Sequence, residues 1–489
     1  MNVQGKEPVE GELPAGGWRT LALGLLGALA CYLAHPPVAW SALAWIGPAP
    51  WLLVVRAARR PGRRGYLALW LAGAAYWLAA IQWIRLPFWA NIFGLFLLAG
   101  YLGVYLPAFV ALARVAVHRL HAPLWLAGAV VWTGLELVRA HLLTGFLMAS
   151  LAHTQVKWPW IIQMADLTGE YGVTFLILAA AGAIAVLLPG GRADPEIANT
   201  PTRPRLRRLW TQVVLPASLL LAALIYGAWH ASGDATRGTT RRASPRIALI
   251  QTDMLSDWKG TPERDEAAMR QQIGMSLEAA RDGAKRGERI DLIVWPETMF
   301  RTALFVADPK RPPPTQAVHA SRYTAALSDL RFIAREAKAA VLVGIDRVLA
   351  SAARNGDDAD LLVYNAAAFI DRDGELQATY EKMHLLPFGE FIPFAEWLPM
   401  LADYAPITGN SLWGAGPKAF LLDEVVYAPN ICYETVLPHL IRRQVVDLTA
   451  AGQTPDVLVN LTNDAWFWGS SELDMHLASG VFRAVEMRT

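Results

Sequence analysis

Three side chains in this chain of 489 residues have the types needed for acyl transfer: Glu297, Lys382 and Cys432. Cys432, in Asn430-Ile-Cys-Tyr-Glu434, is one of only two cysteines. A thiol of ordinary pKa is only a few per cent thiolate at neutral pH, so it needs a base to take its proton and a cation to steady the charge that develops on attack. Taken alone, the cysteine reads more readily as a small buried hydrophobe. The glutamate and the lysine, each in a recognisable setting, reverse that reading.

The elements around them place all three where strands end. The run Val425-Val-Tyr-Ala-Pro-Asn-Ile431 alternates as a strand and delivers the sulfur to its C-terminal edge, where open α/β folds place their sites. Glu297 follows Val294-Trp-Pro296, whose proline ends a strand. Lys382 lies in Tyr380-Glu-Lys-Met-His-Leu-Leu-Pro-Phe-Gly-Glu390, a loop broken by proline and glycine. Further strands are expected at Arg246–Gln251, Ile290–Trp295, Ala340–Gly344, Leu362–Ile370 and Asp456–Asn460. Helices are expected at Glu263–Lys285, Ser321–Lys338 and Glu472–Met487, which carry apolar residues at three- and four-residue spacing. Alternating strands and helices imply an α/β layered core from about residue 245, with Arg311–Thr315 a loop and Asp371–Gly374 a hairpin turn.

The first half reads differently. Hydrophobic residues make up 54% of the chain and charged residues 18%, with mean hydropathy +0.28, well to the apolar side of soluble domains. Seven apolar stretches approach membrane-spanning length, at about 18–35, 39–55, 66–84, 92–113, 122–138, 171–189 and 211–229. The organisation expected is therefore a cytoplasmic N-terminus at 1–17, a transmembrane bundle at 18–230, a linker at 231–244 and a catalytic domain at 245–489. Arginines cluster after the second, fourth and sixth stretches, which places the N-terminus in the cytoplasm and the catalytic domain outside it. Glu136 and Arg139 lie three apart on one helical face; they are either a functional pair at membrane depth or a mutually neutralising one.

Several chemistries are excluded. There is no His-Glu-x-x-His helix, Gly-x-Ser-x-Gly elbow or Walker loop. The scattered histidines imply no metal, and no cofactor is called for. The net charge of +2 gives no case for nucleic acid, and two cysteines distant in sequence give no disulfide framework.

Taken in order, the motifs resemble the apolipoprotein N-acyltransferases, the integral-membrane branch of the nitrilase superfamily. Matching positions are Glu297 in Trp295-Pro-Glu-Thr298, Lys382 in Lys-x-His-Leu-x-Pro-Phe-Gly-Glu390, and Cys432 in Ile-Cys-Tyr-Glu434. Asn463-Asp-Ala-Trp-Phe467, His476 and Arg483-Ala-x-Glu486 also match, as do Trp132, Glu136, Arg139 and Thr144-Gly-Phe146 in the first half. The chain departs from the family at Gly145-Phe-Leu-Met148, where Gly-Phe-Pro-Trp is usual. The family continues past the point matching Thr489 with more strands and a membrane helix, so either a C-terminally truncated catalytic domain or a divergent ending is expected.

The resemblance implies a multi-pass α-helical membrane bundle followed by an α/β nitrilase-like αββα sandwich. It implies a Glu297-Lys382-Cys432 triad, with Glu390, Tyr433, Glu434 and Trp258 binding substrate or supporting the site. The reaction implied moves a fatty acyl group from a membrane phospholipid, typically phosphatidylethanolamine, through a Cys432 thioester to the S-diacylglyceryl-cysteine amine of an apolipoprotein. That is the last step of bacterial lipoprotein maturation, at the periplasmic side of the inner membrane. The apolar residues Phe388, Phe391, Ile392, Phe394, Trp397, Leu398 and Met400 form either a lid reaching the bilayer or a packed loop. The rival readings are a membrane-anchored amidase acting on small carbon–nitrogen substrates and a non-enzymatic membrane scaffold.

Overall fold

The computed structural model describes residues 17–188, 210–232, 244–254, 256, 261–312, 320–352, 359–393, 397 and 411–489. Trp258, and Phe394, Leu398 and Met400 of the apolar segment, lie outside them. Residue contacts divide the chain into two units. One is Met1–Arg85, Asn91–Leu142 and Leu147–Ala235; the other is Leu86–Ala90, Leu143–Phe146 and Thr236–Thr489.

The first unit is helical: α1 (Gly17–Ala34), α2 (Ala49–Arg56), α3 (Arg63–Ala80), α4 (Asn91–Gly103), α5 (Tyr105–His118), α6 (Leu124–His141), α7 (Glu170–Leu187) and α8 (Leu215–Ala231). Among the described residues, five helical segments are long and apolar enough to cross a membrane: Gly17–Ala34, Asn91–His118, Leu124–Thr144, Glu170–Leu187 and Trp210–Ala231. The stretch at 39–55 resolves into a 3-10 turn, Ser41–Trp45, and the eight-residue α2, about 12 Å of helix against a hydrocarbon core of about 30 Å. Gly47-Pro-Ala-Pro50 is what divides it. α3 opens on Arg63 and Arg64, which lower its apolar content. Glu136 and Arg139 do pair, at 3.6 Å and both buried. Ser150 Oγ and the Leu151 N–H also donate to Glu136, and Arg139 donates to the Met148 carbonyl.

The second unit is built on two sheets. In the larger, β1 (Ile247–Leu249), β2 (Leu292–Val294) and the start of β4 (Ala340–Ala352) run parallel, and β3 (Phe300–Ala307) pairs parallel with the rest of β4. β5 (Ala359–Ile370) and β6 (Leu376–Glu381) continue it antiparallel, joined by the expected turn at Asp371, whose carboxylate accepts from the Asp373 and Glu375 amides. The smaller sheet is β7 (Phe420–Leu422), β8 (Val425–Ile431) and β9 (Val457–Leu461).

Alternation along the strands sets the layers. Leu292, Val294, Ala340 and Leu342 face inward against Tyr427, Ile431, Val459 and Leu461 of the smaller sheet. Ile293, Val341 and Val343 face the opposite way, onto α9 (Pro262–Lys285) and α10 (Ala320–Ala337). On the far side, α11 (Pro438–Ala450) buries Ile441, Gln444 and Leu448, with Gln444 donating to the Pro429 carbonyl of β8, and α12 (Glu472–Met487) follows. The order helix, sheet, sheet, helix is the αββα sandwich expected. Strands covered on both faces read as continuous apolar runs, which is why β2 and the start of β4 stood out in the sequence.

Candidate active site

Glu297, Lys382 and Cys432 come from different strand ends and meet on one side of the sandwich. β2 ends at Val294, Trp295-Pro296 turns the chain, and Glu297 follows, 8% exposed. This turn passes so close to β4 that a Cβ on Gly344 would stand 2.4 Å from the Pro296 carbonyl oxygen and 2.5 Å from the Glu297 Cα. Only glycine leaves that room.

Lys382 is one residue beyond β6 and fully buried, its Nζ 3.2 Å from Glu297 Oε1 and 2.9 Å from Glu390 Oε2. Burial alone would push its ammonium down, but the two carboxylates hold it well above the usual lysine range. Glu390 is fixed from the other side by the Leu386 amide at 2.8 Å. Although burial opposes it, Lys382 and these donors keep the Glu390 carboxyl below its ordinary value.

β8 closes at Ile431, and Cys432 takes φ +51°, a left-handed conformation uncommon outside glycine. It opens the 3-10 turn Cys432–Val436. Two donors hold its carbonyl, Asn460 Nδ2 and His476 Nε2, both at 3.1 Å. The His476 ring is oriented by Asp464 at 3.0 Å. Burial would push that imidazole down; Asp464 and Glu472 instead carry it up to about 9. Asp464, Glu472 and His476 bring three ligand-type atoms within 4.8 Å of one another, a grouping the sequence did not reveal. Both imidazole nitrogens are already engaged there.

The thiol lies within electrostatic reach of Glu297, Lys382, Asp464 and Glu390. Burial, then Glu297, push it well above the ordinary cysteine range, and Lys382 opposes them. At rest the sulfur is therefore held toward its protonated form.

Glu434 ties the lysine and cysteine ends together. Its buried carboxylate accepts from the Met383 amide at 2.6 Å, the His384 amide at 3.0 Å, Tyr380 Oη at 2.8 Å and the Ile431 amide at 2.7 Å. Burial pushes its carboxyl up to about 7 against the pull of these donors. Tyr433 Oη donates to the Gly145 carbonyl at 2.8 Å, within the same unit, and its ring stacks on His384 at 6.3 Å. Both residues are placed next to the cysteine. Of the apolar segment, Ile392 is buried, Phe391 packs on Trp413, and Phe388 and Trp397 are exposed.

Sequence reasoning missed Asn365, on β5, whose Nδ2 lies 2.7 Å from Glu297 Oε1 and 2.6 Å from Glu390 Oε1. The only signal was a lone amide inside the otherwise apolar run Leu362–Ile370. It also missed Asn460 of β9, for the same reason.

Residues 27–183 match the family model described as apolipoprotein N-acyltransferase N-terminal domain, and residues 246–489 match carbon-nitrogen hydrolase. A solved amidase from Nesterenkonia sp. shares 19% identity over 46% of this chain and 67% of its own at a TM-score of 0.27, too slight a likeness to carry weight. The apolipoprotein N-acyltransferase of Rhodopirellula baltica is 29% identical over 94% of this chain and 84% of its own length. That of Geobacter metallireducens is 32% identical over 96% of this chain and 82% of its own length. Two domain matches in sequence and relatives alike along nearly the whole chain place this protein in the apolipoprotein N-acyltransferase family.

Proposed function

We propose that this protein transfers a fatty acyl group from a membrane phospholipid, such as phosphatidylethanolamine, to the N-terminal amine of an S-diacylglyceryl-cysteine apolipoprotein, through a thioester on Cys432. The observation that carries this reading is the arrangement of Lys382 buried between Glu297 and Glu390, with the Cys432 thiol within electrostatic reach of all three. Glu297 takes the thiol proton; the sulfur attacks the ester carbonyl; and Lys382, anchored by two carboxylates, donates to the oxyanion. One well-placed donor of that kind contributes about 3–4 kcal/mol. The proton then passes from Glu297 to the departing lysophospholipid oxygen. In the second half the apolipoprotein amine attacks the thioester, its proton goes to Glu297, and the thiol is restored.

Both substrates carry acyl chains that favour the bilayer. The five apolar helical segments fit a bacterial inner-membrane protein, and the arginine pattern fits a cytoplasmic N-terminus with the catalytic unit on the periplasmic side. The test is incubation of the full chain in lipid nanodiscs with acyl-labelled phosphatidylethanolamine, followed by mass spectrometry of Cys432. A thioester that discharges onto a diacylglyceryl lipopeptide supports the reading. Hydrolysis of small amides with no acyl adduct supports an amidase instead.

A further inference from the structure

We propose that Asn365 is a positioning residue of the acyl-transfer site: its side-chain N–H groups fill Glu297 Oε1 and Glu390 Oε1, which leaves Glu297 Oε2 as the atom that receives the Cys432 thiol proton. The inference rests on the acyl-transfer reading above and goes one step further, to the oxygen that acts as base and the residue that selects it.

Donors are unevenly shared among the oxygens of the two carboxylates. Glu297 Oε1 accepts from Asn365 Nδ2 at 2.7 Å and Lys382 Nζ at 3.2 Å. Glu390 Oε1 accepts from Asn365 Nδ2 at 2.6 Å, and Glu390 Oε2 from the Leu386 amide at 2.8 Å and Lys382 at 2.9 Å. Glu297 Oε2 has one long bond, from the Asn463 amide at 3.3 Å. Of the four oxygens it is the least committed, so a proton arriving there displaces least. Glu390, held at both oxygens, is left as the anchor of Lys382.

The orientation of the amide follows from its partners. Turned over, its oxygen would face two carboxylate oxygens, whereas as placed each N–H meets an acceptor. The other end of the group strengthens the case. Asn365 is 6% exposed, and its Oδ1 is buried without a hydrogen-bond partner among the described residues. Leaving a buried carbonyl oxygen unpaired is unfavourable, so a residue present for stability alone would not be an asparagine. The main chain adds a third tie, since the Lys382 amide donates to the Asn365 carbonyl at 2.8 Å. One β5 residue therefore registers the base, the lysine and the second carboxylate together.

The step balances as follows. The S–H bond breaks, its electron pair stays on sulfur, and the proton forms an O–H bond at Glu297 Oε2, from which it later moves to the departing alkoxide. The experiment compares wild type with Asn365→Leu, of similar volume and without donors, and with Asn365→Ser, as full chains in nanodiscs with labelled phosphatidylethanolamine. The readouts are single-turnover thioester formation, KM for the phospholipid and thermal unfolding. We expect thioester formation to slow by about 100-fold and KM to stay within about threefold, at a temperature where both variants remain folded. The acid limb of the rate profile should also move up, since two carboxylates lose a donor. Lys382, His384, Cys432 and Asp346 are the other titratable groups within reach of that pair.

Thioester formation at the wild-type rate in Asn365→Leu overturns the assignment. So does a loss that tracks unfolding in both variants, which would make the residue structural. A wild-type protein that forms no thioester overturns the acyl-transfer reading itself, and this inference with it.

Discussion

Gly344 has no side chain and stands on β4, yet Gly344→Ala should disable the site through the backbone that carries Glu297. The added Cβ would lie 2.5 Å from the Glu297 Cα, 2.4 Å from the Pro296 carbonyl oxygen and 2.7 Å from the Thr298 nitrogen. Carbon–carbon contacts settle near 3.5 Å, so the turn must retreat by about 1 Å. All three obstacles are main-chain atoms, and no rotamer relieves them. Overpacking of this kind destabilises by about 1–3 kcal/mol, while misplacing a reacting group by about 1 Å reduces turnover about 100-fold. The two effects separate in one preparation: thermal unfolding reads the first, and lysophospholipid release from fluorescent phosphatidylethanolamine in nanodiscs reads the second. A folded Gly344→Ala protein whose turnover stays within threefold of wild type would refute the reasoning, because the base would then tolerate a displacement that general-base catalysis does not.

Three further outcomes are expected. Glu434→Gln turns one of the acceptor oxygens into a donor, so about two of its four bonds are lost at about 1.5–3 kcal/mol each; urea unfolding should show a loss of about 3–6 kcal/mol, and a loss below 1 kcal/mol would mean that the carboxylate does not join the two strand ends. His476 keeps its proton to about pH 9 in the folded state, against about 6.5 unfolded. Its contribution is complete below pH 6.5 and is lost as pH rises through 9, up to about 3 kcal/mol; Glu472, pushed up to about 8 by burial and Asp464, acts with the same sign. Thermal unfolding should therefore weaken between pH 6.5 and 9 in wild type and weaken less in His476→Gln; equal slopes would count against the pairing. Glu297→Gln removes a carboxylate that pushes the Cys432 thiol up, so iodoacetamide should label Cys432 faster in this variant although transfer is lost, and labelling at the wild-type rate would show that Glu297 does not act on the thiol.

Local pattern carried much of the second half. The helices expected at Glu263–Lys285, Ser321–Lys338 and Glu472–Met487 appear at Pro262–Lys285, Ala320–Ala337 and Glu472–Met487, because one apolar face against a sheet imposes a 3.6-residue repeat. β8 appears at Val425–Ile431 as expected. β3, β7 and α11 went unread, and β6 was implied only by the place of Lys382 at a strand end: β7 has three residues, β3 starts within a few residues of the Glu297 turn, and α11 follows Pro438 directly after the cysteine turn. Their identity depends on partners far along the chain. In the first half, hydropathy marked the apolar stretches and the interruption of one of them at Gly47-Pro-Ala-Pro50 was legible, but not that a 3-10 turn and a short helix stand on its two sides.

The sequence by itself determined which side chains are available for chemistry and that each follows a strand, since thiol, carboxylate and ammonium in such settings are recognisable without coordinates. The tertiary structure decided how they are coupled: Lys382 shared between Glu297 and Glu390, Asn365 bridging the two carboxylates, Glu434 joining the ends of β6 and β8, and His476 with Asn460 holding the Cys432 carbonyl. The longest of these pairings, Glu297 with Lys382, spans 85 residues. The physical reason is that burial makes an unpaired polar group unfavourable, and only the packed sandwich determines which distant groups are left to satisfy one another.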